Sequence, residues 1–168
     1  KKRETNYKEG KIDGLYTEWY ENGQKKSEET YKDYEKIRVV SFHKNGQKMS
    51  EENYKDGKKD GKWTDWYKTG DIFYYGYKNG ERDGLWLMMN HKGERVFETI
   101  YENGKSKGFI SWYRNGKKKS QGPTQPGLEG NDGLWTKWYE NGQKRSETSY
   151  KNGNMVKNQE WNEDGSPK

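Results

Sequence analysis

The chain has no cysteine and no alanine among its 168 residues. Without cysteine there are no disulfides, no thiol nucleophiles and no cysteine-based zinc sites, and the compartment stays open between cytoplasm and a secreted or envelope location. Leucine, isoleucine and valine together number only 14, and apolar residues make up 26% of the chain. So little apolar surface ordinarily fails to offset chain entropy and leaves a polypeptide disordered. No apolar run approaches the ~18–20 residues of a membrane-spanning helix, and no secretion leader is evident. The first residue is Lys1 rather than methionine, as expected of a processed or truncated product. Prolines number three and histidines two, so kinked segments and imidazole bases are both scarce.

What the chain does have is rings. Eight tryptophans, 14 tyrosines and four phenylalanines outnumber the branched aliphatics, and each buries roughly 150–250 Å² when packed. Disordered chains are poor in aromatics, so this sequence is expected to fold around a shallow ring-built core. The 33 basic and 27 acidic residues give a net charge of +6. Both signs are mixed along the whole length, with Lys117-Lys118-Lys119 set against Glu28-Glu29 and Glu51-Glu52. A nucleic-acid binder gathers its basic residues into a stripe, so nucleic acid is disfavoured as a partner.

The rings recur with a period. Gly23, Gly46, Gly70, Gly93, Gly116, Gly142 and Gly165 stand 23, 24, 23, 23, 26 and 23 residues apart. Four residues before each is a large apolar side chain: Trp19, Phe42, Trp66, Met89, Trp112, Trp138 and Trp161. Such self-similarity identifies a repeat architecture of about seven units. Each unit reads as two strands, the first, such as Lys62 to Tyr67, rich in Trp, Tyr and Thr and the second, such as Lys25 to Tyr31, moderately alternating. One corner carries Asn-Gly in four copies (Asn22-Gly23, Asn45-Gly46, Asn115-Gly116, Asn141-Gly142), the dipeptide of type I′ hairpins, in which both central residues take positive φ. The other corner carries Lys-Asp-Gly or Lys-Asn-Gly, as at Lys55-Asp56-Gly57, Lys78-Asn79-Gly80 and Lys151-Asn152-Gly153. Frequent glycine and absent alanine argue against helices.

The expected fold is all-β: one domain over residues 1–168, in which tandem β-hairpins form one extended, twisted antiparallel meander sheet. Each unit should contact only its neighbours. Residues next to one another on a strand face opposite ways, so Trp66 points to one face and Trp63 and Tyr67 to the other. The Trp19-type column is expected to supply most of the core. An irregular connection is expected near 121–132, where the tyrosine column fails and two of the three prolines lie.

The pattern Trp-Tyr-x-Asn-Gly-x-Lys-x-x-Glu-x-x-Tyr-Lys-x-Gly-x-x-x-Gly resembles the bacterial variant of the MORN repeat, found in YwqK-family antitoxin-like proteins. The resemblance runs from about Tyr7 to Gly165. It implies hairpins in an extended sheet, a scaffold role in protein contacts and, for some members, phospholipid binding, so membrane lipid is left open. It implies no catalytic residues.

Chemistry finds little support in the residues. His43 falls in the tyrosine column and His91 in a turn, without a carboxylate cluster that breaks the repeat. Asp60, Asp83 and Asp132 precede glycines, but one carboxylate per turn offers too few oxygens for calcium. No cofactor, metal or catalytic site is expected. The candidate contact surface for a protein partner is Tyr20, Tyr67, Tyr113 and Tyr139 with Trp63 and Trp135, since aromatic anchors dominate interface energetics. Carbohydrate or choline recognition is the alternative, because rings also cage quaternary ammonium groups. Self-association through strands at the two ends is a third reading, against which the charged terminal segments would act as blocks.

Overall fold

The computed structural model describes residues 3–123 and 132–168, and among them there is no helix. The rest of the expected irregular connection, residues 124–131, lies outside the described residues. The chain divides into two compact units, residues 1–83 and 84–168.

The first unit holds β1 (Arg3–Lys8), β2 (Lys11–Trp19), β3 (Lys25–Lys32), β4 (Glu35–Phe42) and β5 (Lys48–Lys55). It continues with β6 (Lys58–Lys59), β7 (Gly61–Trp66), β8 (Ile72–Lys78) and β9 (Glu81–Arg82). Hydrogen bonding runs β1-β2-β3-β4-β5-β7-β8, with the two-residue strands β6 and β9 paired to β5 and β8. The second unit holds β10 (Gly84–Met89), β11 (Arg95–Glu102), β12 (Lys105–Trp112), β13 (Lys118–Gly122), β14 (Gly133–Trp138), β15 (Lys144–Lys151) and β16 (Asn154–Glu160). These pair consecutively from β10 to β16. Within each unit every pairing is antiparallel. The all-β hairpin meander expected from the sequence is the fold that forms.

The two kinds of corner exchange the roles expected of them. At Asp56-Gly57, Asn79-Gly80, Asn103-Gly104 and Asn152-Gly153 both residues have positive φ. These are the tight two-residue turns that match strand twist. At the Trp-Tyr-x-Asn-Gly corners only the glycine does, as at Gly23 (φ 83°) and Gly142 (φ 92°). There Gly23 N–H donates to the Tyr20 carbonyl and Tyr20 N–H to the Gln24 carbonyl, a three-residue loop closed by a glycine bulge. The register slips beside each such corner, between Glu18 and Trp19, Ser41 and Phe42, and Lys137 and Trp138. The asparagine side chain decides the geometry: Asn22 Oδ1 accepts the Gln24 N–H at 3.1 Å, which holds Asn22 in an Asx turn instead of the left-handed region.

The core also differs from expectation. The Trp19-type column is half-buried throughout. The fully buried rings are Tyr101 and, in the column three residues earlier, Trp63, Trp86 and Phe109, with Tyr16, Val39 and Trp135 as half-buried members of that column. Cross-strand neighbours explain this choice. Trp63 stands opposite Tyr75 and its ring meets Tyr54, Tyr75 and Tyr77 at centroid distances of 5.3, 5.9 and 5.2 Å. Trp66 on the other face lies under the Lys48 ammonium, 5.3 Å from its ring centroid, and so remains half-exposed.

Candidate functional site

Three of the candidate tyrosines do a structural task that recurs with the repeat. The Tyr20 hydroxyl donates to the Phe42 carbonyl at 2.8 Å, Tyr113 to Trp138 at 2.8 Å and Tyr139 to Trp161 at 2.9 Å. Two residues on, the Asn22, Asn115 and Asn141 amides donate to the carbonyls of Lys44, Glu140 and Glu163 at 2.7–2.8 Å. Each corner is thus latched twice to the corner of the next repeat. The hydroxyls are occupied and the rings half-buried, which leaves ring faces as the contact surface these residues offer. Tyr67, the fourth member, is 48% exposed.

His43 occupies the same repeat position, and its Nε2 is buried without a hydrogen-bond partner. The imidazole is too short to reach as a phenol does. His43→Tyr is expected to restore a latch, to the Trp66 carbonyl by analogy, and to stabilise the chain by about 0.5–1.5 kcal/mol. Urea denaturation followed by tryptophan fluorescence measures it, and an unchanged or lower midpoint would count against the latch.

The aspartates before glycines also latch repeats. Asp60 Oδ2 accepts the Asn79 N–H and Asp132 Oδ1 the Gly153 N–H, both at 3.0 Å. The Gly153 and Asn152 amides hold the Asp132 carboxyl below its usual range. No sequence signal marks this role, because the partner amide is a whole repeat away. No group of three or more potential metal ligands occurs among the described residues.

Charge is ordered by face. On the Trp63 face, tyrosine hydroxyls donate to carboxylates two residues away or across a strand: Tyr16 to Glu18, Tyr31 to Glu29, Tyr54 to Glu52 and Tyr75 to Asp65, at 2.6–2.9 Å. Burial, then the carboxylate bond, drives the Tyr54 and Tyr75 hydroxyls far above the ordinary phenol range. Burial also raises the Asp65 carboxyl against the pull of Tyr75. On the opposite face Lys48 and Lys144 bond Glu51 and Glu147 at 3.1 and 2.7 Å. Their ammoniums lie over the next repeat's Trp66 and Trp161 rings. Burial pushes the Glu51 carboxyl up, but hydrogen bonds from Arg38 and Lys48 outweigh it and hold the group below its usual range.

Trp63, a candidate contact residue, is 4% exposed and lies within the ring core. Trp135 is half-buried against Phe109, centroids 5.4 Å apart. What sequence reasoning missed is an apolar strip in the second unit. Leu85, Ile100 and Leu134 are 50–55% exposed, and Leu85 pairs directly with Ile100. Beside Ile100 and Leu134 is a groove of about 410 Å³ lined by Ile110 and Pro123, with Glu98, Lys107 and Gln121 also lining it. Gly108, which also lines the groove, stands at the repeat position held by Leu85 and Leu134.

The fold defines a tandem β-hairpin repeat protein. A family model, the MORN repeat variant, matches residues 12–33, 38–56 and 131–152. These three segments are similar to that repeat, which in general serves as a module for binding. No curated protein matches the chain.

Proposed function

We propose that the chain is a non-enzymatic repeat scaffold that binds a protein partner through the apolar strip of its second unit. The observation that supports this is the exposed row Leu85, Ile100 and Leu134 beside a groove. An apolar centre among polar and charged neighbours is the anatomy of protein interfaces, and exposed apolar strips mark interaction sites. The ring faces of the corner tyrosines, Tyr20 and Tyr67 in the first unit or Tyr113 and Tyr139 in the second, are the competing location within the same reading. An antitoxin-like role is the form of the proposal in which the partner is a toxin.

Affinity purification from the source cells tests it. A defined protein is expected with the wild-type chain and at least ~10-fold less with Ile100→Glu/Leu134→Glu, since loss of central anchors typically costs 2 kcal/mol or more. Recovery that survives those changes but falls with Tyr67→Ser/Tyr139→Ser would place contact at the corners. Co-expression with the recovered protein then reads antitoxin action as restored growth.

A further inference from the structure

One exposed cation in the first unit lies over two rings. Lys59 is exposed, and its Nζ lies 4.4 Å from the Trp63 ring centroid and 4.8 Å from that of Tyr77. Trp63 beneath it is only 4% exposed. Tyr54 adds a further wall, 5.3 Å from Trp63. Among the described residues the Lys59 ammonium has no hydrogen bond and no carboxylate at ion-pair distance.

The same position one repeat earlier behaves differently. Lys36 pairs with Glu29 at 2.8 Å and lies 5.8 Å from the Tyr31 centroid. A change three residues on explains the contrast, since Val39 stands where the later repeat has Trp63. With no large ring to cover, Lys36 turns to the carboxylate.

A primary ammonium brings three N–H donors that need acceptors. A quaternary ammonium brings none, so a site walled by ring faces suits it better than it suits lysine. The carboxylates of Glu52 and Asp65 are fixed nearby by the Tyr54 and Tyr75 hydroxyls and add negative potential without touching the cation. We propose that Tyr54, Trp63 and Tyr77 form a binding box for a trimethylammonium group, with Lys59 as an internal occupant that swings out when the ligand enters. Lys59 lies in a two-residue strand just after the Asp56-Gly57 turn, and its flexible stem makes the swing inexpensive. This inference is independent of the partner strip in the other unit.

The test uses the full chain and tetramethylammonium, titrated at constant ionic strength while tryptophan fluorescence is followed. Emptying the box with Lys59→Ala is expected to strengthen binding at least ~10-fold, since the internal cation no longer competes. Lys59→Gln, which keeps about half of the methylene stem and removes the charge, serves if the alanine variant fails to fold. Choline is expected to bind where its uncharged isostere 3,3-dimethylbutanol does not, and Tyr77→Leu in the Lys59→Ala background is expected to abolish binding with circular dichroism unchanged. Comparing choline with a trimethyl-lysine peptide identifies whether the group arrives free or on a side chain. A folded Lys59 variant without saturable binding, or equal binding of the uncharged isostere, would overturn the proposal.

Discussion

Replacing Trp63 with alanine is expected to destabilise the first unit by about 3–5 kcal/mol, the range for truncating a buried large aromatic. Several losses coincide at this residue. Its ring meets three tyrosines and carries the Lys59 ammonium, and its indole Nε1 donates to the Asn53 carbonyl at 2.9 Å. No aliphatic residue stands by to fill the void, because the neighbouring rings are themselves braced by hydroxyl bonds to Glu52 and Asp65. Trp66→Ala, three residues away but half-exposed, should cost distinctly less. Chemical denaturation of both variants checks this, and equal losses would mean that the two columns share the core.

Gly122→Ala should be the most damaging small change in the second unit, at about 1–3 kcal/mol, as for other overpacked cores. A Cβ there would lie 2.8 Å from Trp135 Cε3 and 3.1 Å from Phe109 Cε1. The glycine is what lets those two rings approach across the strand between them. Neither ring is at the end of a flexible chain, so the clash must be relieved by moving strands. At Gly10, by contrast, a Cβ meets nothing within 4 Å, and only its positive φ resists substitution. A lowered thermal midpoint for Gly122→Ala, with a loss at Gly10→Ala of at most ~1 kcal/mol, would separate packing from backbone strain.

The repeat and its strand content were legible because glycine corners and ring spacing reflect local geometry, which the chain expresses unit by unit. Which ring column is buried was not legible. A period of two places Trp63 and Trp66 on opposite faces but gives no sign of which face is the inner one. That depends on cross-strand company: Tyr75 and Tyr77 beside Trp63, a lysine over Trp66. The corner geometry was misjudged for a related reason. Asn-Gly suits either hairpin type, and at Asn22 the Asx bond to Gln24 and the bulge beside Trp19 select the longer loop. The tyrosine and aspartate latches escaped notice because donor and acceptor are separated by about one repeat, and no local pattern records a pairing at that distance. For the same reason the exposed strip at Leu85, Ile100 and Leu134 emerges only when strands from different repeats are laid side by side.

The latch from Tyr113 to Trp138 crosses 25 residues, yet its length of 2.8 Å equals that of Tyr20 to Phe42 across 22. Repeats of unequal length are therefore joined without disturbing the corner, so the corner contacts, and not the number of residues between them, set the spacing of the strand ends.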